Sequence, residues 1–218
     1  MQEICDPARY SREAALAAAN VWRVRSPSLY PDLTGFLREH CSSDHVDLAF
    51  VARALDVLNV LTPSCALLMV LRPLLRECGP RLRSKLVLVL VRQSQNLGWA
   101  NKLLEDDDAR IRASVIEGLW GGKSPELEQI FLRGVADSHH RVAANAAYGL
   151  YLMDASKATP EIERLLANEE RAFRSAAAWV VGKTGSTELR GLLNPLIRDR
   201  DPVVRHSGFQ AMMALRSR

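Results

Sequence analysis

Apolar residues in this chain recur at steps of three and four rather than in alternation, which predicts amphipathic helices. Four segments share one arrangement: Asp108-Ala-Arg-Ile-Arg112, Asp137-Ser-His-His-Arg141, Glu170-Arg-Ala-Phe-Arg174 and Asp201-Pro-Val-Val-Arg205. Each puts an acid four residues before an arginine, with an Ala-rich or apolar run behind it. Three residues after the arginine stand Val115, Ala144, Ala177 and Gly208; seven after stand Leu119, Tyr148, Val181 and Met212. Those offsets define one helical stripe, and its small members let neighbouring helices come close. Weaker copies follow Arg12, Leu48 and Arg83. The seven anchors are separated by 36, 35, 29, 29, 33 and 31 residues, which predicts stacked helical hairpins.

A second helix is expected before each anchored one, over roughly 29–40, 64–77, 97–104, 125–135, 160–167 and 187–198. Two of them carry a proline in matching context, Pro73 and Pro195. Reuse of proline at one place in a repeat predicts a bend that helps the outer helix wrap the stack.

The run Asp-x-x-Val-Arg-x-x-Ala-x-x-Ala-Leu resembles the HEAT and HEAT-like repeat families, as does the proline in the first helix. The likeness is strongest over 97–218, intermediate over 64–96 and weakest over 1–63. It implies an all-α fold: a right-handed superhelix of about six to seven hairpins in a single domain spanning 1–218. Outer A helices and inner B helices would alternate, the B helices lining the concave face. In such proteins the acids and arginines tend to form a ladder between neighbouring repeats. That gives Asp108, Arg112, Asp137, Arg141, Glu170, Arg174, Asp201 and Arg205 a structural role, the acids also capping helix N-termini. The competing reading, arginines facing a groove to grip phosphates, is opposed by the one acid that accompanies each of them.

With the arginine as offset zero, offsets 5 and 9 point away from the core. The residues there form neither a continuous basic row nor an aromatic ladder. Candidates for a binding face are Arg53, Arg92, Glu117, Trp120, Tyr151, Trp179 and Lys183. Trp179 interrupts a run of alanines one turn before Lys183, so it is either a space-filling ring or an exposed anchor beside a cation.

Catalytic patterns are absent from the sequence: it has no Gly-x-Ser-x-Gly elbow and no His-Glu-x-x-His. Gly121-Gly122-Lys123-Ser124 reads as a helix end and turn rather than a phosphate loop. Asp106-Asp107-Asp108 reads as capping and solvation. His139 and His140, adjacent on one helix, would diverge by about 100° and could not share a metal. The four cysteines, Cys5, Cys41, Cys65 and Cys78, lack zinc-site spacing and are expected to be reduced and buried. No enzyme activity, cofactor or metal is expected.

Composition adds little beyond this. The net charge is +4, and all of the excess falls in residues 110–218, which carry 16 basic and 12 acidic groups. The most apolar stretches are too short to span a bilayer, and the first residues lack the order of a secretory signal. A cytoplasmic protein without membrane contact is expected. The expected function is a scaffold that holds a protein partner on the curved surface. The alternative is a DNA-binding protein similar to the HEAT-type alkylpurine DNA glycosylases, using a basic concave face. A phycobilin-lyase-like role is implied by repeat similarity alone. The apolar run Ala211-Met-Met-Ala-Leu215 suggests self-association through the C-terminal helix, with Met212 as its test position.

Overall fold

The computed structural model describes residues 6–25, 48–60, 71–72, 74–76 and 79–216. Those residues form helices and turns, with no strand among them. In chain order the helices are α1 (Arg12–Arg25), α2 (Leu48–Val60), α3 (Pro80–Ser94), α4 (Leu97–Leu103), α5 (Ala109–Gly118), α6 (Pro125–Gly134), α7 (His140–Met153), α8 (Ala155–Leu166), α9 (Arg171–Thr184) and α10 (Pro202–Arg216). Two 3-10 segments, Glu188–Leu193 and Leu196–Arg198, lie between α9 and α10. The expected helix over 29–40, most of that over 64–77, Pro73 and all four cysteines lie outside the described residues.

The chain divides into two compact units, Met1–Ala100 and Asn101–Arg218. In the first, α1 packs on α2 and α2 on α3. Asp56 of α2 binds both neighbours at once, taking hydrogen bonds from Arg12 Nε at 2.8 Å and Lys85 Nζ at 2.5 Å. Burial raises the Asp56 carboxyl pKa, but these two cations outweigh it and hold the group below its ordinary value. The stripe residues Val51, Leu55, Leu86 and Leu90 are buried.

In the second unit α5, α7, α9 and α10 form a row, each packed on the next, while α6 and α8 lie beside α7 and α8 also reaches α9. The helices of this row begin at Ala109, His140, Arg171 and Pro202, a constant step of 31 residues. The residue that opens each turn keeps the same step. Asp106, Asp137, Asn168 and Asp199 each accept, through Oδ1, the N–H two residues ahead, at 3.0, 2.8, 2.8 and 2.9 Å. Such a side-chain turn fixes where the next helix can start.

This register corrects the anchors. The residue equivalent to Arg112, Arg174 and Arg205 is Ala143, and Arg141 stands two places early. The sequence spacings of 29 and 33 around Arg141 are two equal steps of 31, misread because Asp137 and Arg141 imitate the acid–arginine interval. In the corrected frame the stripe is Val115, Ala146, Ala177 and Gly208 at offset three, all buried. Leu119, Leu150 and Val181 are buried at offset seven, and Met212 is half-buried.

Two outer elements also differ from expectation. α8 starts at Ala155, five residues before Pro160, because Asp154 caps it by accepting from Ser156 N at 2.9 Å and Lys157 N at 3.4 Å. The expected helix over 187–198 is two 3-10 pieces separated at Asn194 and Pro195. Pro195 cannot donate a hydrogen bond, and the chain breaks there rather than bending.

Close approach depends on missing side chains. A Cβ on Gly149 would lie 2.5 Å from the Phe131 ring, and one on Gly182 would lie 3.0 Å from the Ala211 backbone. These glycines seat α6 on α7 and α10 on α9.

Candidate functional site

The arginines at the 31-residue step make one repeated arrangement. Arg112 grips Asp137 with Nε and Nη2, at 2.8 and 2.9 Å, and gives Nη1 to the carbonyls of Asp106 and Asp107. Arg174 treats Asp199 in the same way, at 2.8 and 2.9 Å, with Nη1 on the carbonyls of Asn168 and Glu169. Each guanidinium thus ties its own turn to the carboxylate of the next, 25 residues on. Side-on pairing of this kind uses the fork geometry of arginine fully.

Where the arginine is missing, so is the acid. Ala143 would face residue 168, and 168 is asparagine. Asn168 keeps the turn's hydrogen bond without leaving a carboxylate unpaired in a half-buried site. Arg141, by contrast, is exposed and makes no ion pair among the described residues. Asp108 caps α5 by accepting from Arg110 N, and its Oδ1 also takes the Arg110 Nε at 3.1 Å. Glu170 precedes α9 without a side-chain cap bond. Asp201 accepts from Val203 N at 2.8 Å and pairs with Arg171 at 3.3 Å.

The same register gathers an aromatic cluster. Tyr148 and Trp179 occupy offset five of successive helices, and Trp120 reaches them from the end of α5. The Trp120 and Tyr148 rings meet edge to face at 4.8 Å; Trp120 and Trp179 stack at 6.5 Å, and Tyr148 lies 6.1 Å from Trp179. Lys183 Nζ sits 5.8 Å from the centre of the Tyr148 ring. Trp120 is fixed by its Nε1, which donates to the Asn145 carbonyl at 2.9 Å. The buried Asn145 side chain in turn donates to the Ala113 carbonyl at 3.1 Å, tying α7 to α5.

Around these rings lies a depression of about 370 Å³, lined by Glu117, Trp120, His140, Arg141, Trp179 and Lys183 among others. A second depression of about 460 Å³ shares Trp179 and Lys183 and reaches Gln210 and Ala214 of α10. Together they make one groove running across α7, α9 and α10. Trp179, which lines both depressions, is 43% exposed. Burial, with the neighbouring His139, holds the His140 pKa below its ordinary value. His139 precedes the helix and accepts from Arg141 N, which lets its ring stack on His140 at 4.5 Å instead of diverging. Among the described residues no group of His, Cys, Asp and Glu is placed to hold a metal ion.

No family model and no curated protein matches this chain.

Of the residues expected on a binding face, Glu117, Trp120, Trp179 and Lys183 meet at the groove. Tyr151 is half-buried near the end of α7, away from the ring contacts. Arg53 and Arg92 belong to the other unit, where Arg53 donates to the Tyr10 carbonyl at 3.3 Å. The two-residue slip puts Arg141, which lines the groove, in the ladder, and Tyr148, whose ring packs on Trp120 and Trp179, in the core stripe. Conversely Ala146 and Leu150, placed by that slip on the outward offsets, are fully buried. An even 31-residue count on the turn residues Asp106, Asp137, Asn168 and Asp199 is the signal that would have found the aromatic row.

Proposed function

We propose that Asn101–Arg218 is a HEAT-like solenoid segment, and that its groove over α7, α9 and α10 holds a segment of a protein partner. The observation that carries this reading is the exposed Trp179 ring. It is set among aromatics and flanked by Lys183 and Arg141, neither of which is bound to a carboxylate among the described residues. A half-exposed tryptophan fixed on a rigid row of helices suits a binding anchor, since little side-chain freedom is lost on contact. The cationic rim favours a partner segment with an apolar residue for the ring floor and acidic residues beside it.

One observation supports a second reading. Arg141, Lys183 and stacked rings are also what a nucleic-acid strand would use, through phosphate pairing and base stacking. A single experimental design separates the two. A photo-crosslinking amino acid is placed at Gln210, inside the groove, and in a control at Glu163, on the exposed side of α8. The scaffold reading expects a discrete protein adduct in native extract from position 210 only, lost in Trp179→Ala. Equal adducts from both positions would contradict it. Oligonucleotide binding that weakens steeply with salt and disappears in Lys183→Glu would favour the nucleic-acid reading instead.

A further inference from the structure

Arg205 has half of the arrangement that Arg112 and Arg174 complete. Its Nη1 donates to the carbonyls of Asp199 at 2.8 Å and Arg200 at 3.1 Å, the same two turn positions used by its equivalents. Among the described residues no carboxylate meets its Nε–Nη2 edge, the edge that holds Asp137 and Asp199 elsewhere. The guanidinium is therefore already oriented, with its carboxylate-binding side open.

The apolar surface beside it has the same character. At offset four, Ile116, Ala147 and Ala178 are fully buried; their equivalent on α10, Phe209, is 60% exposed. At offset one, Ala113 and Ala144 are buried, whereas His206 is exposed. His206, Phe209 and the exposed Met213 fall on one stripe of α10, at steps of three and four, with Val203 a further step back. The matching sides of two earlier helices meet their successors: Gly182 of α9, equivalent to Met213, lies against Ala211 of α10, and the carbonyl of Ala113 in α5, equivalent to His206, takes the Asn145 amide of α7.

We propose that this face of α10 receives a helical hairpin of another polypeptide, whose turn presents a carboxylate to Arg205 and whose following helix lays apolar side chains on Phe209. Charge decides between the possible occupants. The face carries Arg205, His206 and Arg216, and the nearby Asp201 is already held by Arg171. A second copy set here about a twofold axis would bring these cations together and leave Arg205 unanswered. A hairpin with an acidic turn satisfies both the charge and the apolar stripe. The half-held guanidinium lowers the ordering cost of forming the pair. Neither Arg205 nor Phe209 lines the aromatic groove, so this surface stands independently of it.

The test uses the full chain as bait and a displayed library of disulfide-stapled two-helix hairpins, with the turn residue and one helix face randomised. Enriched hairpins are expected to carry Asp or Glu at the turn, and to bind Arg205→Gln about tenfold more weakly, the equivalent of about 1.4 kcal/mol. Arg205→Glu should select Lys or Arg at the turn, and Phe209→Ser should lose the selected binders. Both side chains are exposed, so an unchanged melting temperature shows that the variants fold. Enrichment indifferent to turn charge would overturn the proposal, as would binders that ignore Arg205→Gln. Sedimentation showing a dimer of the chain that dissociates in Phe209→Ser would also overturn it, making a second copy the occupant.

Discussion

The paired change of Arg to Ala at 143 and of Asp to Asn at 168 is the most informative substitution within this sequence. At this step the guanidinium and the carboxylate are given up together. Arg112→Ala alone leaves Asp137 half-buried without its cation and should cost about 2 kcal/mol in urea unfolding. Adding Asp137→Asn, which recreates the 143/168 combination, should restore about 1 kcal/mol of that loss. Equal stability of the single and double variants would show that the two side chains are not coupled. Protonation removes the same coupling. Burial raises the Asp137 pKa, but Arg112 and the His139 N–H outweigh it and leave the carboxyl below its ordinary value; at Asp199 the Arg174 hydrogen bond dominates in the same direction. A carboxyl with a lower pKa when folded adds stability that is complete above its unfolded value, about 3.9. That stability fades as pH falls through the folded value. The penalty of Arg112→Ala should accordingly shrink below about pH 4. The residue types of this network were legible in the sequence, but the partners were not. An acid four places before an arginine draws the eye to a local pair, whereas the pair that forms spans 25 residues.

At the scale of elements, helix existence was legible and helix limits followed local hydrogen-bonding chemistry. Pro125 and Pro80 sit in the first turns of α6 and α3, where a missing N–H costs nothing, and the start at Pro125 reads directly from the sequence. Pro160 looked like another start. Asp154 caps the chain earlier, and the helix carries the proline inside it. The expected bend at Pro195 became a break because the residues around it tighten into 3-10 turns. Contacts between elements rest on absent atoms. At Gly149 any side chain must displace the buried ring of Phe131, at 2.5–2.8 Å from the first added carbon. Gly149→Val is expected to lower stability by about 3 kcal/mol, read by thermal and urea unfolding. Gly191, with open space around the same position, should accept alanine with little change. A Gly149→Val variant as stable as the parent would mean that α6 and α7 are not seated on each other as described.

For the molecule as a whole, the regular step of the second unit turns residue-level rules into surfaces. Offset four becomes buried packing on α5, α7 and α9, offset five brings Tyr148 and Trp179 together, and α10 exposes both its offset-four residue and half of an arginine pair. A two-residue slip in the count was enough to hide the aromatic row, since it moved Tyr148 into the core and Leu150 out of it. No helix among the described residues is long and apolar enough to cross a membrane. The claim on which both surfaces depend is the equivalence of Arg112, Arg174 and Arg205, with Arg141 outside the set. Assigned arginine side-chain NMR signals test it directly, through the solvent exchange of each Nε proton. Slow exchange is expected at Arg112 and Arg174, whose Nε atoms are held at 2.8 Å by Asp137 and Asp199, and fast exchange at Arg205 and Arg141. A slowly exchanging Nε proton on Arg141, or fast exchange on either Arg112 or Arg174, would contradict it.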